Sequence, residues 1–314
     1  MLFSILIPTF KEKFLKECID SIFNQTYEDF EIIIVNDASP YDIDSIINSY
    51  SDSRIRYYKN NKNCGAINVV DNWNRCLNFS SGKYVMCIGD DDKLMPNCLE
   101  SYKKLIDAND SVKVFHCRSY IIDENSKEVC VTPSWPEFES VYANMWHRMM
   151  GLRVQFIGDF LFNRDELIKN GGFYKLPLAW ASDDITVFST IENGIKHTED
   201  VLFCYRRTSF TISSVGSVKH KIDAICQEEE WYKKFIEDSH PNSKLDILFL
   251  RNIEKEMPHY IKKKKVETIA YQGMNGLFVS DFLYWFRVKK SVGLSFVELL
   301  YILVLALKKK FVSK

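Results

Sequence analysis

Short apolar runs alternate with amphipathic stretches along the first 120 residues. The apolar runs have the composition of buried strands, and the stretches between them carry apolar residues at helical spacing. Strands are predicted at residues 3–7, 31–35, 54–58, 84–88 and 112–117, with helices at 12–23, 43–50, 66–77 and 97–108. This alternation predicts an α/β fold with a Rossmann-like, mostly parallel central sheet flanked by helices.

The pattern changes after residue 215. We divide the chain into an α/β domain at 1–215 and a C-terminal helical region at 216–314, where charged helical patterns give way to an apolar run at 294–307. At 1.5 Å per residue this run covers roughly 21 Å, short of the ~30 Å hydrocarbon core. Lysines flank it. It predicts either an interfacial helix on an anionic membrane or a helix docked on its own domain or on a second copy.

The strand predicted at 84–88 leads into three consecutive carboxylates, Asp90, Asp91 and Asp92. Adjacent aspartates repel one another and are poor strand formers. A divalent cation relieves the repulsion, and hard oxygen ligands suit Mg²⁺ or Mn²⁺. Ligands of open α/β sheets also bind at the carboxyl ends of strands. The alternative is an acidic turn that caps the next helix.

A second acidic pair, Asp183 and Asp184, follows Ser182 at the start of a predicted helix. A serine N-cap and acids in the first turn stabilise a helix, which explains both aspartates without any function. Trp180, just before them, is not explained in this way.

Composition narrows the function classes. The net charge of −1 gives no basic field, so no nucleic-acid partner is expected. The sequence contains neither a G-x-G-x-x-G nor a G-x-x-x-x-G-K-[ST] phosphate loop. Nine scattered cysteines without a C-x-x-C pair indicate a reducing, cytoplasmic environment, and the N-terminus lacks the basic segment of a signal peptide.

Several ordered blocks resemble the inverting glycosyltransferases of family 2, which have the GT-A fold. The blocks are SILIPTF at 4–10, CIDSIFNQTY at 18–27, EIIIVNDAS at 31–39, NCGAIN at 63–68, the aspartate triplet followed by Pro96, WASDD at 180–184 and YRR at 205–207. The resemblance implies a hexosyltransferase-type enzyme that uses Mn²⁺ or Mg²⁺ and moves a sugar from a nucleotide-sugar donor to a glycan acceptor with inversion. A UDP-sugar is the expected donor.

The resemblance also implies roles by position. Contacts to the nucleotide-sugar are implied for Pro8, Thr9, Phe10, Glu12, Asp37, Ser39, Gly65, Asn68, Asp90, Arg206 and Arg207. Family members often have Asp-x-Asp-Asp where this chain begins with Gly89, so Asp91 is implied as the first metal ligand, with Asp92 beside it and Asp90 at the ribose. The division of labour among the three stays open.

For the second acidic pair, the resemblance implies Asp184 as the general base, with Asp183 as the second candidate. Trp180 would stack on an acceptor sugar ring. In an inverting displacement, one acidic cluster serves the metal and another, about 90 residues later, takes the proton.

The expected setting follows from the tail and from analogy. A polyprenyl-diphosphate-linked acceptor fits the lysine-flanked apolar run, and bacterial O-antigen or capsule synthesis is an analogy-based expectation. The chain would then be cytoplasmic and peripheral on the inner face of the cytoplasmic membrane, and a homo-oligomer stays open. The competing interpretations are a sugar-nucleotide nucleotidyltransferase, whose Gly-rich N-terminal loop this chain lacks, and a non-catalytic glycan- or nucleotide-binding module.

Overall fold

A computed structural model of the chain describes residues 1–208, 216–272 and 278–312, without the side chains of 278, 279 and 310–312. The expected domain boundary at residue 215 and the side chain of Lys310 in the last basic run lie outside the described part.

Within the described ranges, ten strands form one sheet in the order β3-β2-β1-β4-β9-β6-β10-β5, with β7 paired to β6 and β8 to β10. The strands are β1 (Phe3–Thr9), β2 (Phe30–Asn36), β3 (Ile55–Lys59), β4 (Tyr84–Cys87), β5 (Lys93–Leu94), β6 (Val114–Ile122), β7 (Glu128–Val131), β8 (Phe138–Glu139), β9 (Phe160–Asn163) and β10 (Ile195–Arg206). Strands β3, β2, β1 and β4 are parallel, as are β6 and β10, whereas β9 runs antiparallel between β4 and β6. Because β1 is parallel to both β2 and β4, the carboxyl ends of these three strands lie at the same edge of the sheet.

Eleven helices lie within the described residues. They are α1 (Leu15–Phe23), α2 (Ile43–Asn48), α3 (Val69–Phe79), α4 (Cys98–Asp107), α5 (Val141–Met149), α6 (Arg164–Lys169), α7 (Ser182–Thr190), α8 (Val218–Asp238), α9 (Lys244–Gln272), α10 (Phe278–Val288) and α11 (Phe296–Val312). Both faces of the sheet are covered. In β1, Leu6 joins one apolar cluster while Ile5 and Ile7 join another, which is the arrangement expected of a doubly covered strand.

One expected boundary needs correction. The first strand was expected to stop at Pro8, but β1 continues to Thr9 because its ladder to β4 ends at the pair Leu6–Cys87, so the missing proline N–H breaks no ladder on that side. Strand β10 runs without a break from Ile195 to Arg206. Helix α9 continues through Pro258, and Ile253, Met257 and Ile261 are buried along it.

The C-terminal helices share a core with the α/β part. Ile225 of α8, Ile269 of α9 and Ile302 of α11 belong to the same buried cluster as Phe160 of β9 and Val187 of α7. Helix α9 packs on α5, α8 and α11. None of the helices described here combines the length and the apolarity needed to cross a bilayer.

Candidate active site

A cavity of about 480 Å³ opens at the carboxyl ends of β1, β2 and β4. Small-molecule sites commonly have this size and this place in α/β folds. Nine of the residues proposed from the sequence line it: Pro8, Phe10, Asp37, Gly65, Asp90, Asp91, Asp92, Asp183 and Arg206. The fold therefore brings both acidic clusters to one cavity although they are far apart in the sequence.

The aspartate triplet is stabilised by backbone N–H groups. The Asp90 carboxylate accepts from the N–H groups of Phe10 and Lys11, both at 2.7 Å, and that of Asp92 accepts from Arg206 at 2.9 Å and Gly89 at 3.2 Å. Burial and the neighbouring Asp91 raise the pKa of Asp90 to about 6. The same two causes raise the pKa of Asp92 well above its ordinary value. The four backbone hydrogen bonds thus offset part of the expected repulsion.

Gly89 has no room for a side chain. A Cβ there would lie 2.8 Å from Asp92 Oδ2 and 2.9 Å from Asp91 Oδ1. A side chain at residue 89 would therefore require the Asp91 and Asp92 carboxylates to move, in a tight turn that the Asp92 N–H closes to the Gly89 carbonyl at 3.2 Å.

Lys11 supplies a positive charge at this turn. Its Nζ lies 2.9 Å from Asp91 Oδ2. Burial alone would lower the pKa of Lys11, but Asp91 and Asp90 raise it above its ordinary value. Lys11 was not proposed from the sequence, although its position directly after β1, at the same sheet edge as the triplet, was a usable signal.

The residues of this site suit a divalent cation that is bound jointly by the protein and a substrate. They suit less well a metal site in which the protein supplies all the ligands. Within the described chain, no group of three or more His, Cys, Asp or Glu side chains could hold a metal ion. Asp91 keeps a partly exposed carboxylate on the cavity, whereas Asp90 and Asp92 are occupied by backbone donors. Mg²⁺ is often held by one or two carboxylates together with substrate phosphates, and Asp91 suits that arrangement.

Asp183 and Asp184 lie at the start of α7 but differ in environment. Asp183 lines the cavity. Asp184 is buried and accepts from Arg148 Nε at 2.8 Å and Gln155 Nε2 at 2.7 Å. Burial and then the Asp184 charge raise the pKa of Asp183 to about 7. The acid that faces the cavity therefore has a pKa suited to proton transfer near neutral pH.

The segment before α7 has a constrained backbone. Leu178, Ala179 and Ala181 have φ values of 62°, 53° and 68°, in the left-handed region that side chains other than glycine rarely occupy. Leu178 and Ala179 line the cavity. Such outliers concentrate where surrounding structure fixes a functional geometry, and here they set the direction in which α7 starts.

A buried ion pair from the C-terminal helices lies close to this acid pair. Lys264 Nζ of α9 is 2.7 Å from both carboxylate oxygens of Glu228 of α8, whose side chain is fully buried. Burial raises the pKa of Glu228 above its ordinary value, with a smaller contribution from the Asp184 charge. Burial alone would lower the pKa of Lys264, but Glu228 and, to a smaller extent, Asp184 raise it. Lys264 in turn makes a small lowering contribution to the pKa of Asp183. No local sequence pattern predicts Arg148, Gln155, Glu228 or Lys264, because each reaches the site through tertiary packing.

Arg206 is placed behind the triplet. Its fully buried guanidinium donates to the Asp91 carbonyl at 2.7 Å, to Glu17 at 2.7 Å and to the Asp123 carbonyl at 3.0 Å. Arg207 is exposed. Arg206 therefore holds the turn in place, and Arg207 has the more accessible charge.

The other proposed residues are not among those that line the cavity. Thr9 donates to the Ile7 carbonyl, Ser39 to the Phe10 carbonyl at 2.6 Å and Asn68 to the Cys64 carbonyl. Glu12 is exposed. Trp180 packs against the core with Lys221 Nζ 4.6 Å from its ring centre.

Comparison with known proteins identifies the family. The model described as glycosyl transferase family 2 matches residues 4–166, just over half of the 314-residue chain. An uncharacterised glycosyltransferase of Rickettsia prowazekii is 34% identical over 135 residues, which are 42% of this chain and 41% of that protein. The chain thus matches about two fifths of that relative's length.

A further relative has a named substrate. The GalNAc(5)-diNAcBac-PP-undecaprenol beta-1,3-glucosyltransferase of Campylobacter jejuni is 35% identical over 101 residues, 31% of this chain and 32% of that protein.

Solved structures agree on the fold. S. aureus TarS 1–349 in complex with UDP-GlcNAc aligns with a TM-score of 0.65 at 15% identity, covering 99% of this chain and 92% of TarS 1–349. The mannosyltransferase PcManGT from Pyrobaculum calidifontis, in complex with GDP-Man and Mn²⁺, aligns with a TM-score of 0.55 at 15% identity, covering 99% and 88%. At this identity the likeness concerns the fold alone. The chain therefore belongs to glycosyl transferase family 2 and has the GT-A fold.

Proposed function

We propose that this protein is a metal-dependent, inverting glycosyltransferase. It moves a hexose-type sugar from a nucleotide-sugar donor, for which we propose a UDP-sugar, to a hydroxyl of a glycan acceptor. The observation that carries the proposal is the cavity at the sheet edge, which both Asp91 and Asp183 line. Family membership favours this function over the nucleotidyltransferase alternative. The UDP-GlcNAc held by TarS supports a UDP-sugar as the first donor to test.

The proposed reaction is one displacement. The acceptor oxygen attacks the anomeric carbon, the bond from that carbon to the diphosphate oxygen breaks, and the nucleoside diphosphate leaves with the electron pair. The proton of the acceptor hydroxyl passes to a carboxylate on the face opposite the leaving group. A single step of this kind inverts the anomeric configuration.

We propose Asp183 as the general base, in place of the first-ranked Asp184. Asp183 borders the cavity. Asp184 is buried, and its Oδ1 atom accepts hydrogen bonds from Arg148 and Gln155. A base must reach the acceptor hydroxyl, so exposure to the cavity decides between the two. Asp184 then fixes α7 and keeps the pKa of Asp183 raised.

Charge on the departing diphosphate needs stabilisation. Arg207 is the candidate protein cation, and Arg206 acts by holding the Asp91 carbonyl. A divalent cation shared by Asp91 and the diphosphate would supply the remaining positive charge.

The acceptor assignment is a separate proposal. The undecaprenol-linked substrate in the name of the C. jejuni relative supports a polyprenyl-diphosphate-linked glycan, with O-antigen or capsule synthesis by analogy. Trp180 remains the proposed acceptor-stacking residue, from its place two residues after the cavity-lining Leu178.

The test measures UDP release from UDP-GlcNAc and UDP-glucose with Mn²⁺, with and without a polyprenyl-diphosphate-linked glycan. Asp183→Asn should lower turnover at least about a hundredfold, since general-base catalysis contributes 10²–10⁴-fold. Asp184→Asn should lower it less, and Asp165→Asn, at a 92% exposed acid, should leave it unchanged. Full turnover in Asp183→Asn would overturn the base assignment.

A further inference from the structure

Helix α11 has two apolar faces, and only one is packed. Leu299 and Ile302 are 1% exposed and Ala306 is 3% exposed, facing the core shared with α9. On the opposite side, spaced three and four residues apart, a second set of large apolar side chains is exposed: Phe296, Val297, Leu300, Tyr301, Val304 and Leu307, which we call the α11 face. Val297 is the most exposed of these side chains, at 73%.

The α11 face extends onto the neighbouring helix. The Phe286 ring of α10 contacts that of Phe296 edge to face at 6.0 Å, and Leu283 of α10 is 45% exposed. Single exposed apolar residues are ordinary on protein surfaces, whereas a contiguous patch of this kind marks an interaction site.

The charges bordering this face are positive. Lys308 continues the stripe of Val297, Tyr301 and Val304 at helical spacing. Arg287 is exposed in the last turn of α10, and Lys290 is exposed two residues after that helix ends. The sole acid of α11, Glu298, is bound by Lys262 at 2.9 Å and by the Ser295 N–H. An apolar helix face with a cationic border is the composition that binds an anionic membrane surface.

We propose that the α11 face is a binding surface for an anionic lipid bilayer, on which the helix lies parallel to the membrane plane. A second copy of the chain is the less favoured occupant, because a symmetric dimer through this face would bring two cationic patches together. The proposal places the helix on the bilayer surface rather than across it, and no described helix has the length and apolarity needed to cross a bilayer.

Helix α9 makes ion pairs with both neighbouring C-terminal helices. Lys262 of α9 binds Glu298 of α11, and Lys264, two residues further along α9, binds Glu228 of α8. Membrane binding by the α11 face is relevant to a lipid-linked acceptor and in that respect rests on the proposed function. Membrane binding itself can be tested without it.

The experiment is co-sedimentation of the full chain with vesicles of phosphatidylglycerol and phosphatidylcholine (3:7) and of phosphatidylcholine alone. We expect the wild type to bind the anionic vesicles, and binding to fall at least about tenfold in V297E/Y301E/V304E. Lys308→Gln should weaken it about fivefold. The matched control is L245E/L248E, at exposed leucines of α9, which should bind like the wild type.

Equal vesicle binding by the wild type and the triple variant would overturn the proposal. The proposal would also be overturned if the wild type bound no vesicles but sedimented as a dimer, and if the triple variant sedimented as a monomer. In that case a second copy of the chain would be the occupant of the α11 face. Circular dichroism melting checks that each variant is folded. Metal-dependent UDP binding, measured in parallel, reports on the proposed function independently of the lipid result.

Discussion

The Arg148 guanidinium donates to the Asp184 carboxylate across 2.8 Å, in an ion pair whose acidic side chain is 3% exposed. This bond, together with that from Gln155, holds Asp184 behind the cavity wall while Asp183 borders the cavity. Two adjacent aspartates in one helical turn thereby have separate environments. We infer that Asp184 positions α7 and that Asp183 carries the chemistry.

Removing Arg148 should be costly for folding. In Arg148→Met, Asp184 keeps a buried charge without its cation, and breaking a buried ion pair costs about 3–5 kcal/mol. The free energy of unfolding, measured by urea denaturation, should fall by that amount. Lys16→Met, which breaks the exposed pair with Asp20, should cost less than about 1 kcal/mol. Similar losses in both variants would contradict the assigned role of Arg148.

The rate of transfer should depend on the protonation of Asp183. Because a base acts as its carboxylate, kcat/KM should rise with pH and level off above a pKa of about 7. The Asp184 charge raises that pKa, so Asp184→Asn should move the acidic limb of the pH profile to lower pH. A limb near pH 4 in the wild type, or one that Asp184→Asn leaves in place, would contradict this assignment.

Lys11 should compete with a divalent cation for Asp91. Its ammonium group lies 2.9 Å from the Asp91 carboxylate, where it offsets negative charge. In Lys11→Met, calorimetric titration of Mn²⁺ in the presence of UDP should show affinity increased by about fivefold, equivalent to roughly 1 kcal/mol of removed charge interaction. Lys13→Met, at an exposed lysine paired with Glu124, is the control. Weaker Mn²⁺ binding in Lys11→Met would instead mean that the lysine supports the metal–diphosphate complex.

The Glu228–Lys264 pair should show strong coupling. Lys264→Met leaves Glu228 buried without its cation and should destabilise the fold by about 3–5 kcal/mol, whereas E228L/K264M should recover most of that loss. Lys264 also lowers the pKa of Asp183, so its removal should move the acidic limb of the rate profile to higher pH. Lys233→Met, from an exposed pair with Glu230, should do neither. Additive single and double changes would rule out the coupling.

The sequence alone was sufficient for the first half of the sheet and for one side of the site. Alternating apolar runs predicted β1, β2 and β4, and the aspartates that follow β4 predicted a ligand site at the edge where Asp91 lies. Both rest on local periodicity and on the geometry of parallel strands.

The choice between Asp183 and Asp184 was not available from the sequence. It depends on left-handed backbone at Ala181 and on Arg148 from α5, neither of which leaves a local pattern. The exposed side of α11 could not be predicted from the sequence either. Apolar residues lie on all sides of this helix, and its packing against α9 determines which side is exposed.

The most direct test of the central claim is calorimetric titration of UDP, with and without Mn²⁺, into the wild type, Asp91→Asn and Asp183→Asn. The claim predicts UDP binding that Mn²⁺ strengthens, that Asp91→Asn weakens at least about tenfold, and that Asp183→Asn leaves unchanged, because the base contacts the acceptor rather than the nucleotide. UDP binding that is equally strong in Asp91→Asn, or no binding of any nucleoside diphosphate by the wild type, would contradict a nucleotide-sugar site at this sheet edge.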